Sequence, residues 1–108
     1  MTAISIVSID GVRQTSGTLA AFIGQEVRGV RTTAMMVPFG PFAGSHTFDL
    51  VIFSNGEATA VAFRFQTGDG SIVRLEGTIT FTANGAQGNV IAPLMLQGSY
   101  QRLRQLQD

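Results

Sequence analysis

The sequence predicts an all-β fold, a two-layer antiparallel β-sandwich of about seven or eight strands. Thirteen glycines divide 108 residues into short apolar runs. These runs are rich in Val, Ile, Phe and Thr, which suit a pleated, half-buried surface. At this length the chain fits a single domain. We assign residues 1–98 to the sandwich and residues 99–108 to a C-terminal tail.

In the first half of the chain, glycine turns join four apolar runs in pairs. Asp10-Gly11 predicts a hairpin, because both residues tolerate a positive φ. Gly24-Gln25 predicts a second hairpin or a sharp corner. The four predicted strands are Ile4–Ile9, Val12–Thr15, Leu19–Ile23 and Glu26–Thr32.

Turn residues also divide the second half of the chain into strands. Asn55-Gly56-Glu57 predicts a turn between two strands, and Gly77 predicts a bulge. The predicted strands are His46–Ser54, Ala58–Thr67, Ile72–Leu75, Thr78–Thr82 and Val90–Leu96. Leu103 and Leu106 are compatible with a short helical turn within Tyr100–Asp108, although nine residues are marginal for an isolated helix.

Alternation of apolar and polar residues predicts which side chains are buried, because successive side chains of a strand point to opposite faces. The predicted inward positions are Phe48, Leu50, Ile52, Val61, Phe63, Phe65, Ile79 and Phe81. Arg64 falls on the outward face of its strand, and Asp49 falls outward or at a rim.

The charge composition argues against several classes of partner. Seven arginines balance seven acidic residues, and the chain has no lysine and no cysteine. Without a net positive charge, we expect no binding to nucleic acid or to an acidic membrane. No apolar window reaches the length of about 18 residues that a membrane helix needs, so we expect no membrane insertion. Because lysine commonly keeps sheet edges apart, this surface is expected to tolerate close neighbours.

Five segments resemble a repeat module of bacterial secreted and surface proteins. They are Thr18–Val30, Phe48–Asn55, Ala62–Phe65, Ile79–Phe81 and Ala92–Leu96. The resemblance implies an immunoglobulin-like extracellular sandwich without known catalysis. The N-terminal residues lack the basic region and long apolar run that are typical of a signal peptide. Gln25 stands where the module usually has an acid, which weakens a calcium interpretation of that corner, and Arg64 stands where it usually has lysine.

No group of residues predicts catalysis, a cofactor or a metal. His46 is the single histidine, and on a strand Asp49 faces the other side, so no Ser-His-Asp or metal arrangement is indicated. Asp10 and Asp69 lie in turns that favour Asp for backbone reasons. One acid in Gly68–Ser71 is too few for a calcium cage. We therefore predict that the protein is not an enzyme.

Glu26 and Arg28 lie two residues apart and share a face on a strand. One interpretation is a charged contact for a ligand or partner. The alternative, which we favour, is a structural ion pair, with each other or with Asp49, that closes a sheet edge or fixes the corner at Gly24.

The segment Ala34–Gly44 is the best sequence candidate for a working surface. It contains no charge, and its large apolar residues are Met35, Met36, Val37, Phe39 and Phe42. If exposed, they mark an interface. The alternative is that the segment covers the open end of the sandwich as a lid.

These observations favour a non-catalytic structural or interaction module that associates with itself or with neighbouring subunits of a secreted or surface assembly. The alternative is a carbohydrate-binding or adhesive module that takes polysaccharide, against which the absence of tryptophan argues. If the chain assembles by strand addition, Ala3–Ile9 is the expected segment, because it is terminal, β-branched and uncharged.

Overall fold

The computed structural model describes residues 1–53, 60–81, 85–88 and 93–99. Within these ranges the chain forms two facing sheets and no helix, which confirms the predicted β-sandwich. The described ranges contain eleven strands, more than the seven or eight predicted. The strands are β1 (Thr2–Ile9), β2 (Val12–Arg13), β3 (Thr18–Ile23), β4 (Glu26–Arg31), β5 (Met35–Met36), β6 (His46–Val51), β7 (Ala60–Gln66), β8 (Ile72–Arg74), β9 (Ile79–Thr80), β10 (Ala86–Gln87) and β11 (Leu94–Gly98).

The first sheet is built around β1. Along one edge, β1 pairs antiparallel with β6 and β2, and along the other it pairs parallel with β10 and β11. β5 extends the sheet beyond β6. The N-terminal strand is therefore central, and we correct the expectation that Ala3–Ile9 is available to a neighbour's sheet.

The second sheet has the order β4-β3-β7-β8, and every pairing in it is antiparallel. β9 continues along the same edge of β7 as β8. The register of pairing with β7 shifts by two residues between β8 and β9. Gly77 lies in the segment between these two strands and has φ 79°. The irregularity predicted at Gly77 is therefore present.

The core lies between the two sheets and contains the inward positions that the alternation predicts. Phe48 from the first sheet meets Phe65 from the second edge to face, with ring centroids 5.2 Å apart. Such aromatic pairs add about 0.5–1.5 kcal/mol beyond their burial. The remaining buried members include Val7, Ile9, Leu19, Leu50, Ile52, Val61, Phe63, Val73, Phe81 and Leu96.

Hydrogen bonds join the two sheets at both sides. On one side the Phe53 N–H donates to the Arg28 carbonyl at 3.0 Å. On the other, Leu75 forms an isolated bridge with Gly98, and the Glu76 N–H donates to the Gln97 carbonyl at 2.7 Å. The sandwich is thus partly closed, which leaves less free sheet edge than two separate layers present.

The two predicted hairpin turns are confirmed. Asp10 and Gly11 both have positive φ, 52° and 81°, as a type I′ turn between β1 and β2 requires. Gly24 has φ 61° at the first central position of the β3–β4 turn, which is typical of type II′. The turn Asn55-Gly56-Glu57 lies outside the described residues, but the flanking strands β6 and β7 belong to different sheets and do not pair.

Other differences from the sequence predictions concern short or parallel strands. The two-residue strands β5 and β10 lie in segments for which we predicted no strand, because such short pairings leave no alternation to detect. Parallel pairing of β10 and β11 with β1 was also not predicted. The predicted helical turn in Tyr100–Asp108 lies outside the described residues.

Gly29 allows β4 to approach the end of β6. A Cβ at this position would lie 2.6 Å from the Val51 carbonyl oxygen, which is backbone and moves only with its strand. We expect Gly29→Ala to lower the free energy of unfolding by about 1–3 kcal/mol, because it overpacks this seam. Urea denaturation measures the change.

Gly68→Ala is the matched control, because a Cβ there meets nothing within 4 Å and Gly68 does not have a positive φ. Its free energy of unfolding should stay within about 0.5 kcal/mol of the parent value. Equal losses in both variants would contradict the role that we assign to Gly29.

Candidate functional site

The segment Ala34–Gly44, which we call the Met-Phe segment, contains both exposed and buried apolar side chains. Met35, Met36 and Phe39 are 54%, 62% and 57% exposed, whereas Val37 is buried. Phe42 is half-buried. We call the exposed side chains of Met35, Met36 and Phe39 the Met-Phe face. Exposure of Met35, Met36 and Phe39 is what the interface interpretation requires. Val37 is not part of the buried cluster between the sheets, so the lid interpretation stays a prediction.

A short hairpin positions the Met-Phe face. β5 pairs with β6, and the Val37 N–H donates to the Ser45 carbonyl at 2.8 Å. The Gly44 N–H returns a hydrogen bond to the Val37 carbonyl at 3.0 Å. Arg13 fastens the loop, since its guanidinium donates to Ser45 Oγ at 2.6 Å and lies 5.4 Å from the Phe42 ring centroid.

Glu26 and Arg28 form the ion pair that the sequence suggested, with 3.2 Å between Arg28 Nη2 and Glu26 Oε2. The Glu26 side chain is 75% exposed, so solvent weakens the attraction. Among the described residues Arg28 pairs with Glu26 and not with Asp49. The Arg28 carbonyl accepts the hydrogen bond from Phe53, which fits a structural location at the seam between the sheets.

The outer face of the second sheet holds a feature that sequence reasoning missed. Arg64 on β7 lies directly opposite Arg74 on β8. Like charges directly opposite on neighbouring strands destabilise a sheet. Alternation placed Arg64 outward, but only the register between β7 and β8 shows that the two arginines face each other.

Arg64 also contacts an aromatic ring on the other side of its strand. Its guanidinium carbon lies 4.4 Å from the ring centroid of Phe22 on β3. This cation–π contact favours a position over β3 and away from β8, which lessens the repulsion from Arg74. Two shallow depressions of about 190 Å³ and about 440 Å³ border Arg64 on this face.

Within the described ranges, His46 and the acidic side chains do not converge on a metal site. In the described part of the chain, no group of three or more His, Asp or Glu side chains is placed to hold a metal ion. His46 pairs with Met36 and Asp49 pairs with Ile4, so the two lie at different positions along β6. His46 Nδ1 and Asp49 Oδ1 are each buried without a hydrogen-bond partner among the described residues.

The two turn aspartates differ in their hydrogen bonds. Asp69 bonds within its own turn, as its predicted backbone role requires, whereas Asp10 bonds to a residue 89 positions along the chain. Asp10 Oδ1 accepts a hydrogen bond from Ser99 Oγ at 2.7 Å. Asp69 Oδ1 accepts hydrogen bonds from the Thr67 hydroxyl and from the Ser71 N–H. The hydrogen bond from Thr67, and to a lesser extent those from Ser71, lower the pKa of Asp69 below its usual value.

Comparison with known proteins does not place the chain in a family: no family model, curated protein or solved structure matches it. The resemblance to bacterial secreted modules stays a prediction. No helix long and apolar enough to span a membrane occurs within the described ranges.

Reversing the charge of Arg74 should stabilise the protein. In Arg74→Glu the repulsive pair with Arg64 becomes an attractive one, so we expect the free energy of unfolding to rise by about 0.2–1 kcal/mol. Arg74→Gln, which only removes the repulsion, should give a smaller gain. Urea denaturation at low ionic strength measures both, and a loss in both variants would refute the repulsion.

The Thr67 hydroxyl should control the ionisation of Asp69. The folded pKa of this carboxyl is lowered, so the turn is stabilised above the unfolded pKa and loses that stabilisation as pH falls through the folded pKa. Thr67→Val should raise the pKa toward the usual value for Asp. NMR titration of the Asp69 carboxyl carbon measures the shift, and Thr80→Val on β9 is the control that should leave it unchanged.

Proposed function

We propose that this protein is a non-catalytic interaction module that associates with a second copy of itself through the Met-Phe face. The observation that carries the proposal is the exposure of Met35, Met36 and Phe39 within one uncharged segment. Apolar surface of this kind is costly to leave in water and marks interaction sites on soluble domains.

The location of the Met-Phe face supports a contact between side chains. β5 is an outer strand of the first sheet, but it has only two residues and Pro38 follows it closely. Short strands and proline limit strand addition. Methionine side chains adapt to the surface that they meet, so two copies of this face are able to pack without matching a preformed pocket.

The charge balance supports a second copy as the partner. The chain carries equal numbers of positive and negative residues, so two copies have no net charge to hold them apart. Residues 32–45 contain no charged side chain, so the segment itself brings no ion into the contact. A two-fold arrangement places the same patch on both subunits, as the commonest dimers do.

Met95 is another exposed apolar side chain on the outer face of the first sheet. It lies opposite Ile6, and it is 41% exposed. Met35 lies opposite Thr47, whose outward position on β6 places Met35 on the same outer face. Met36 points to the other side of β5, because successive side chains of a strand alternate, so the Met-Phe face wraps around this edge strand. We propose that the contact extends from β5 toward Met95.

A neighbouring subunit of a secreted or surface assembly is a further partner that we propose, on the basis of the resemblance to bacterial secreted and surface modules. The alternative function, polysaccharide binding, has the same basis, and binding to insoluble polysaccharides is its direct assay. Neither idea is needed for self-association, which depends only on the apolar face.

Replacing the two methionines should weaken self-association. Each buried Met side chain contributes about 1.5–3 kcal/mol, so Met35→Ser with Met36→Ser should raise the dimer Kd by at least about 100-fold. Sedimentation velocity over a wide concentration range measures the Kd. The matched control is Val27→Ser with Val30→Ser, which removes two exposed apolar side chains from β4 in the other sheet.

The control variant should associate as the parent does. A parent that stays monomeric at all accessible concentrations would exclude self-association. Equal weakening in both double variants would show that the Met-Phe face is not the contact. Far-ultraviolet circular dichroism confirms that each variant is folded before its Kd is interpreted.

A further inference from the structure

The outer face of the second sheet brings together two arginines on neighbouring strands. Arg64 and Arg74 are directly opposed, which places their Cβ atoms about 4.5–5.5 Å apart on the same face. Among the described residues, neither guanidinium has a carboxylate within 4.0 Å. An anion between them therefore removes a repulsion as well as gaining two charge-assisted hydrogen-bond donors.

Phe22 preorganises one of the two arginines. The guanidinium of Arg64 lies over the Phe22 ring at 4.4 Å, and Arg64 is half-buried. Its side chain is therefore held before a ligand arrives, which reduces the entropy lost on binding. Guanidinium groups match carboxylates with two parallel hydrogen bonds, a geometry that lysine does not offer.

The surface beside the arginines is concave and partly apolar. The larger depression, about 440 Å³, extends from Ala62 and Arg64 to Arg74 and Glu76. The smaller one, about 190 Å³, lies beyond Arg64 and is lined by Ala20 and Ile72 among others. We call the two depressions together the arginine groove. Exposed apolar atoms next to two cations fit a ligand with an anionic end and an apolar body.

We propose that the arginine groove binds an organic monocarboxylate. The carboxylate lies over β7, with Arg64, held over Phe22, on its β3 side and Arg74 on its β8 side, and its apolar body crosses Arg64 toward Ile72. Glu76 also lines the groove, so its local charge is plus one rather than plus two. This charge suits a singly charged carboxylate better than a doubly charged phosphate or sulfate.

The proposed site is independent of self-association through the Met-Phe face. The arginine groove lies on the second sheet, whereas Met35 and Met36 belong to the first. Loss of carboxylate binding therefore leaves the self-association proposal untouched, and the reverse also holds.

Phenylacetate is the probe, because it joins one carboxylate to one flat apolar group. We expect saturable shifts of the side-chain Nε–H resonances of Arg64 and Arg74 and of the Ile72 amide in two-dimensional NMR spectra. Phenylacetamide, the neutral analogue, should leave these resonances unchanged. Inorganic sulfate should bind at least about tenfold more weakly than phenylacetate, because it gains nothing from the apolar wall.

Three variants with a matched control test the roles of the charges. Arg64→Gln and Arg74→Gln should each raise the Kd for phenylacetate at least about tenfold, because each removes a charge-assisted hydrogen-bond donor. Glu76→Gln should lower the Kd, because it removes the negative charge from the groove. Arg31→Gln is the control, since Arg31 lies on β4 and donates to the Thr33 carbonyl.

The proposal is overturned if phenylacetate gives no saturable shifts, or if sulfate or phenylacetamide binds as tightly. It is also overturned if Arg31→Gln weakens binding as much as Arg74→Gln does, because the effect would then follow net charge alone. Dispersed amide spectra establish that each variant is folded. Should Arg64→Gln unfold through loss of its Phe22 contact, the opposite effects expected for Arg74→Gln and Glu76→Gln decide the question.

Discussion

Hydrogen bonding along both edges of β1 is the constraint on which the rest of the structure depends. β6 and β2 occupy one edge, while β10 and β11 occupy the other, so segments from most of the chain length meet on this strand. Its inward residues, including Val7 and Ile9, are thereby fixed over the second sheet. Because four strands form hydrogen bonds to β1, displacement of β1 would leave backbone groups on several strands unpaired at once.

The seams between the sheets extend this constraint. The hydrogen bond from Phe53 to Arg28 and the bridge between Leu75 and Gly98 hold opposite sides of the sandwich together. One seam requires the close approach that Gly29 permits. With β1 internal and the seams hydrogen bonded, side chains on the outer faces become a more suitable contact surface than free backbone edges.

The two outer faces differ in chemistry although they share one small core. The first sheet carries an uncharged apolar surface at the Met-Phe face, which suits another apolar surface. The second sheet carries Arg64 and Arg74 beside apolar side chains, which suits an anion with an apolar part. The chain has few charged residues and no lysine, so neither the Met-Phe face nor the arginine pair is surrounded by the many charged side chains that are common on domain surfaces.

The sequence by itself determined the fold class, the hairpin turns at Asp10-Gly11 and Gly24-Gln25, and the inward faces, because alternation and turn chemistry act over a few residues. It also indicated that Glu26 and Arg28 can pair. Only the tertiary structure decided that β1 is central, that β11 runs parallel to it and that β6 and β7 lie in different sheets. It also decided the division of the Met-Phe segment and the opposition of Arg64 and Arg74. These features depend on pairing between strands that are distant in the sequence. A local pattern of apolar and polar residues does not specify which strands pair or in which register.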